Sequence, residues 1–348
     1  MNVNRHVVVT GGSGFLGINL VRYLLERGWM VSVLDLEPCR PEFATRIHMV
    51  IGDIRDPDAV RQAASGADCM VHAAAALPLQ DSATIRSVDV DGTRNCLEVA
   101  QRVGLSRFVH ISSTAVYGIH DQLNTREHAP LDGTGPYGRA KTEAEILCRE
   151  FRSPDFAVTI LRPKSFIGPE RLGIFGLLYD WAADGRGFPL PGGGHHRFQL
   201  LDVADLCDVI VQTLTSAPEH VNRTFNIGAS EFGTLKSDFQ AVLDYAGFGK
   251  RVLRLPSAPA GWMLGLAHRL GLSPVYPWVF RNLAVNSAVD ITRARNLLGF
   301  SPSYSNRDAL VRNFEWYLRH RDGWRRQTGV THTVPWGQGL LGLAKRLF

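Results

Sequence analysis

From its first residues the chain alternates short apolar runs with stretches whose apolar residues recur at helical spacing. No other feature restricts its fold as strongly. His6–Thr10, Met30–Leu34, His48–Ile51, Cys69–His72 and Phe108–Ile111 read as buried strands, and Ile18–Arg27, Pro57–Ala64 and Val90–Val103 as helices between them. Strands joined through helices run parallel, and the helices then cover both sheet faces. The pattern predicts a doubly wound α/β parallel sheet, with Val158–Leu161 as a further strand.

After Gly168 the rhythm breaks. Proline, glycine and aromatic residues accumulate between Pro169 and Arg197 and again between Pro256 and Phe280. Between these stretches Val203–Leu214 reads as a helix and Thr224–Ile227 as a strand returning to the main sheet. The expected organisation is a main domain over 1–168 with 198–230 returning to it, and a smaller interleaved lobe from 169–197 and 231–320. Residues 321–348 form a tail in which Trp336, Leu340, Leu343 and Leu347 share a helical stripe beside Lys345 and Arg346. That stripe fits peripheral contact with a membrane or packing on a dimer partner. Trp262, Met263, Leu264, Leu266, Val275, Tyr276, Trp278, Val279 and Phe280 fit an apolar pocket or the core of the lobe.

Thr10-Gly11-Gly12-Ser13-Gly14-Phe15-Leu16-Gly17 joins the first strand to the first helix. Its glycine spacing lets the backbone turn sharply and approach a pyrophosphate, which the helix N-terminal amides then face. Asp35 closes the second strand, where a carboxylate binds ribose hydroxyls and repels a 2′-phosphate, favouring NAD. Arg40 nearby keeps NADP open. Asp53 and Ile54, after the third strand, fit contact with an adenine ring.

Ser113 follows strand Phe108–Ile111, and Tyr137-Gly-Arg-Ala-Lys141 opens a helix after Gly135-Pro136. A spacing of four sets Tyr137 and Lys141 one turn apart on one helix face. An ordinary tyrosine titrates near 10, too high for a base at neutral pH. A neighbouring ammonium and an oxidised nicotinamide are expected to lower it, with Ser113 holding the substrate oxygen.

The formal net charge of +5 favours anionic ligands. Its Lys and Arg residues are scattered without an aromatic-basic recognition motif, so nucleic acid is not expected. The five cysteines form no CxxC pair and no signal peptide opens the chain, so reduced thiols, a cytoplasmic location and no metal site are expected.

The ordered set Thr10–Gly17, Asp53, His72-Ala-Ala-Ala75, Ser112–Gly118, Tyr137–Lys141 and Leu161-Arg162-Pro163 resembles the extended short-chain dehydrogenase/reductase family, also called NAD-dependent epimerase/dehydratase. The likeness covers about 5–230, and Gly299-Phe300-Ser-Pro302 extends it weakly to about 320. It implies a Rossmann domain binding NAD, a C-terminal substrate lobe, and a homodimer. By residue it implies Ser113, Tyr137 and Lys141 for catalysis, with Tyr137 as acid/base and Lys141 also on the nicotinamide ribose. Gly11, Gly14, Phe15, Leu16, Gly17, Asp35, Asp53, Ile54, Ala73, Ala74, Ala75 and Pro163 complete the cofactor set.

Dehydratases of the family carry an Asp-Glu pair after the catalytic hydroxyl residue. Thr114-Ala115 stand there in this chain, so water elimination is not expected. Thr114, Ser165 and Arg197 are the candidate substrate contacts. Ser165 replaces the asparagine of nucleotide-sugar members, and Arg162-Pro163 is similar to 3β-hydroxysteroid dehydrogenase-like members. Arg197 sits near the position from which sugar-nucleotide enzymes present an arginine, and Asp89 stands where an asparagine is frequent. Three readings follow. A dehydrogenase on a sterol-like or lipid alcohol is preferred; a nucleotide-sugar epimerase and a non-catalytic NAD-binding scaffold are the alternatives.

Overall fold

The computed structural model describes residues 5–256, 284–324 and 345. One sheet holds seven strands: β1 (His6–Thr10), β2 (Met30–Asp35), β3 (His48–Ile51), β4 (Cys69–His72), β5 (Arg107–Ile111), β6 (Ala157–Pro163) and β7 (Thr224–Ile227). They lie in the order β3-β2-β1-β4-β5-β6-β7, and every pairing is parallel. This is the Rossmann-like α/β fold.

The residues of β1 show why both faces are buried. Val7 and Val9 join one core while Val8 joins the other, as alternation along a strand demands. Helices Phe15–Glu26 and Val203–Thr215 close the first core. Helices Pro57–Ala63, Thr93–Arg102 and Gly135–Glu150 close the second. The strand order reverses direction between β1 and β4, so the loops leaving these two strands flank a crevice.

One helix departs from its expected form. In place of a continuous Val90–Val103 helix, Ser87–Gly92 make a π-helical turn and the α-helix starts at Thr93. Asp89 in this turn points inward and accepts a hydrogen bond from the Ala76 amide at 2.8 Å. Gly92 packs so closely on Ile54 that an added Cβ would sit 2.6 Å from Ile54 Cδ1. The wider turn accommodates both contacts.

Helices Phe175–Ala183, Leu235–Ala246 and Asn306–Trp324 share a third core around Leu178, Tyr179, Phe239, Val242 and Phe314. Short parallel strand pairs tie this lobe together: Phe188–Pro191 with Val252–Leu255, and Phe166–Ile167 with Leu201–Asp202. A third pair joins Ser287–Val289 to Gln122–Thr125, which lies in the chain between Ser113 and Tyr137. Asn306 fastens the lobe further, taking the Leu200 amide at 2.8 Å and donating to the Phe198 carbonyl at 2.7 Å.

The expected boundary between lobe and tail at 320 falls inside helix Asn306–Trp324, because Arg321 pairs with Asp180 and Asp184 and holds that turn on the lobe. Lys345 joins the same two carboxylates, donating to Asp184 Oδ2 at 2.6 Å, rather than standing free for a membrane surface. The apolar residues singled out between 262 and 280, and Trp336, Leu340, Leu343 and Leu347, lie outside the described residues. Among the described residues no helix is long and apolar enough to cross a membrane.

Candidate active site

The glycine turn is shaped by contacts that leave no space for side chains. Gly11 has φ +74°, and a Cβ on it would lie 2.7 Å from the Ala74 amide nitrogen. The turn therefore rests directly on the backbone of Ala73 and Ala74, whose amides bond the Thr10 carbonyl (3.2 Å) and Thr10 Oγ1 (3.3 Å). Gly17 abuts the Gly11 carbonyl. Helix Phe15–Glu26 starts here with Gly14 as N-cap and no side-chain cap, so its first amides are left for an anion. Phe15 and Leu16 can offer a cofactor only these amides, since both side chains are buried and the Phe15 ring stacks on Phe166.

Asp35 stands at the edge of this cradle, accepting from the Ser13 amide at 2.9 Å and the Glu37 amide at 3.2 Å. Arg40, the residue that would welcome a 2′-phosphate, is tied to Glu170 at 2.8 Å, and Arg22 holds the other oxygen of that carboxylate. Asp53 is clasped by the Arg55 guanidinium and amide, which hold it below the usual carboxylate range. Any adenine contact there goes through a carboxylate already paired. Ile54 is buried, Ala73 and Ala74 are half-buried, and Ala75 is exposed. Uncapped amides, glycines that admit no Cβ, and a carboxylate at the rim fit a dinucleotide lacking a 2′-phosphate.

The three candidate catalytic residues come from two elements. Ser113 caps the 3-10 turn Thr114–Tyr117, with its Oγ accepting the Ala115 amide at 3.1 Å. Tyr137 and Lys141 lie in the first turns of helix Gly135–Glu150, where Pro136 is tolerated because that position needs no amide donor. Lys141 is buried, its Nζ 5.7 Å from the Tyr137 ring centroid and 3.9 Å from Asp89 Oδ2. Ser113 lies near enough to the Tyr137 phenol to favour its ionised form. The structure thus brings Ser113, Tyr137 and Lys141 together.

In the protein alone the phenol is not lowered, although Lys141 acts in the expected direction. Burial pushes Tyr137 up from 10, and although Lys141, Ser113 and Arg171 oppose this, Asp89 adds to it, so the shift is upward. Burial works against the Lys141 ammonium, but Asp89 and Tyr137 outweigh it and Lys141 stays charged.

A buried polar network fixes the helix that carries Tyr137 and Lys141. Glu145, one turn beyond Lys141, accepts from Ser112 Oγ (2.7 Å), Arg162 Nε (2.7 Å) and Nη2 (2.5 Å), and Arg149 Nη2 (2.7 Å). Arg162 also donates to Tyr117 Oη at 2.6 Å. A second chain runs from Thr10 Oγ1 to His72 Nδ1 (2.8 Å), from His72 Nε2 to Thr93 Oγ1 (3.0 Å) and from Thr93 to the Asp89 carbonyl (2.7 Å). Since Thr93 donates onward, His72 is the Nε2–H tautomer.

The candidate substrate contacts are more dispersed. Thr114 is half-buried beside Ser113, and Ser165 is exposed just past Pro163 at the end of β6. Arg197 is exposed, its guanidinium 4.8 Å from the Phe232 ring centroid and bonded to the Phe232 carbonyl at 3.3 Å. Two cations had no motif to announce them. Arg171 lies over Phe15 at 5.2 Å and acts electrostatically on Tyr137, and burial pulls it down to about 10. Lys164, buried beside Pro163, donates to Ser287 Oγ at 2.7 Å and is pulled down by burial to about 7.

Comparison with known proteins gives this geometry a context. The model of the NAD dependent epimerase/dehydratase family matches residues 7–228. A dTDP-glucose 4,6-dehydratase of Streptomyces niveus is 30% identical over 91% of this chain and 94% of its own. A 3-beta-hydroxysteroid dehydrogenase of Mycolicibacterium neoaurum is 26% identical over 89% of this chain and 91% of its own. The crystal structure of a UDP-glucose 4-epimerase from Thermotoga maritima shares the fold, with a TM-score of 0.76 at 21% identity over 91% of this chain and 99% of that one.

Proposed function

This chain belongs to the NAD-dependent epimerase/dehydratase family, and from that premise we propose that it oxidises or reduces a secondary alcohol or ketone carbon, with Tyr137 as acid and base. The observation that carries the reading is a continuous set of contacts from cradle to phenol. Gly11 rests on Ala74, Ala76 holds Asp89, Asp89 faces Lys141, and Lys141 lies over Tyr137. The glycine turn and Asp35 would hold NAD, which supplies hydride acceptance and donation when bound. In oxidation the substrate hydroxyl proton passes to the Tyr137 oxygen, and in reduction the Tyr137 proton goes to the carbonyl oxygen. Ser113 keeps the substrate oxygen within reach, and Lys141 supplies the positive charge that favours the phenolate.

The dTDP-glucose relative is named for a dehydration, a step that needs an acid and a base on neighbouring carbons. Thr114 and Ala115, in the 3-10 turn after Ser113, offer neither, so the proposed chemistry stops at redox. For the substrate, Arg162-Pro163, the exposed Ser165 and the 3-beta-hydroxysteroid dehydrogenase relative support a sterol-like or lipid alcohol. Arg171 beside the phenol favours a second reading, epimerisation of a nucleotide sugar, whose diphosphate would meet that cation.

Incubation with NAD and a panel of 3β-hydroxysterols, followed by NADH absorbance, tests the first reading. NADH should form with the sterol and be lost in Tyr137→Phe. Interconversion of UDP- or dTDP-sugars without net NADH would replace it with the second, and full turnover by Tyr137→Phe would refute both.

A further inference from the structure

Asp89 acts on Tyr137 but takes no step in the chemistry above. It is fully buried in the π-helical turn Ser87–Gly92. One carboxylate oxygen is fixed by the Ala76 amide at 2.8 Å, while Oδ2 has no hydrogen-bond partner among the described residues and lies 3.9 Å from Lys141 Nζ. A buried carboxylate oxygen with no donor is costly unless a positive charge faces it. Lys141 supplies that charge.

The balance of charge at the centre follows from what else surrounds the pair. On the Lys141 helix, Glu145 is already neutralised by Arg162 and Arg149, and burial keeps the Cys148 thiol un-ionised. From β4 and β5, His72 and His110 face the ammonium, and burial together with Lys141 keeps both rings neutral. Ser113 is uncharged, and Arg171, in the segment after Pro169, acts on Tyr137 as a second positive charge. Among the described residues Asp89 is the unneutralised carboxylate that pairs with the Lys141 ammonium, so an amide at 89 would leave that charge uncompensated beside the phenol, in addition to Arg171.

We propose that Asp89 is a positioning residue that cancels the Lys141 charge and so holds Tyr137 as the protonated phenol, poising the resting site to give a proton to a carbonyl oxygen. This rests on the acid/base reading of Tyr137 above. The consequence is directional. The site favours ketone reduction near neutral pH, while alcohol oxidation accelerates as pH rises and the phenol ionises.

The test needs no substrate. Protein labelled with 13Cζ-tyrosine is titrated by NMR in the presence of NAD, with the Tyr137 resonance identified by its loss in Tyr137→Phe. In Asp89→Asn the Tyr137 midpoint should fall by about one unit or more, roughly a tenfold gain in phenolate at a given pH. Asp89→Ser, which also removes the carboxylate, should move it the same way and serves if the asparagine variant does not fold. A midpoint unmoved in a folded variant that still binds NAD overturns the proposal, leaving Asp89 as a tether for Ala76 only. That outcome leaves the redox reading untouched, which fails instead if Tyr137→Phe retains turnover.

Discussion

Replacing Glu145 by glutamine leaves the volume of the site unchanged and removes one buried negative charge. In the native chain that carboxylate accepts four hydrogen bonds, from Ser112, twice from Arg162 and from Arg149. Glutamine offers one acceptor oxygen, so its amide NH2 confronts the guanidinium donors across the other side. Arg149 is 37% exposed and can turn to water, which makes its share small. Arg162 is 1% exposed and cannot. Breaking a buried pair from one side costs about 3–5 kcal/mol, a large part of a domain stability of roughly 5–15 kcal/mol. At an m value of about 3 kcal/mol/M this lowers the urea midpoint by roughly 1 M or more. Arg149→Gln, the matched control, should cost about 1 kcal/mol or less. Because Glu145 lies one turn from Lys141 and bonds Ser112, next to Ser113, the folded fraction of the variant should also lose turnover. An Glu145→Gln midpoint within 0.3 M (roughly the 1 kcal/mol limit) of the parent would refute the view that this carboxylate holds Arg162 and the catalytic helix.

Further outcomes are expected. Gly11→Ala meets both a positive φ, costing about 1–2 kcal/mol, and the Ala74 backbone, so NAD affinity measured by calorimetry should fall at least about tenfold. Gly28→Ala, with φ +76° and nothing within 4 Å of an added Cβ, should lose stability alone and bind NAD normally. Burial and Lys141 hold His72 down at about 3 against an ordinary 6.5, so the unfolded chain takes up protons first as pH falls through that window. Thermal melts should therefore drop steadily from pH 6.5 towards 3, and His110→Leu, which removes two ring nitrogens without a hydrogen-bond partner among the described residues, should soften the drop. Asp35→Ser removes the carboxylate that anchors the Ser13 amide, and should weaken NAD binding while narrowing its margin over NADP. An unchanged margin in competition binding would count against the role given to Asp35.

Much of the sheet was legible because buried parallel strands leave unbroken apolar runs, as in His6–Thr10 and Cys69–His72, which end where the pattern says. The glycine turn and the Tyr137–Lys141 spacing were legible for a local reason: each depends on residues within one turn or one helix face. What escaped depends on distant segments meeting. Arg171 and Lys164 stand in stretches with no periodicity of their own, and only folding brings one over Phe15 and the other against Ser287. The upward shift of Tyr137 escaped for the same reason: burial, its main cause, comes only with folding, and the Asp89 carboxylate that adds to it lies forty-eight positions earlier in a turn that reads as ordinary helix. Gln122–Thr125 and Ser287–Val289 are too short and too polar to stand out as strands before they pair.

That last pairing constrains how a protein of this kind can be recombined. Ser287–Val289 hydrogen-bonds to the loop that links Ser113 to Tyr137, so the smaller lobe is spliced into the reaction centre rather than appended to it. A chimera that imports another enzyme's lobe by crossing over only after Gly168 would keep the native half of this ladder and supply a foreign half. Its reactive serine and tyrosine would then be spaced by a mismatched splice. Exchanges of specificity should succeed when 119–134 travels with the lobe, and stall when it stays behind.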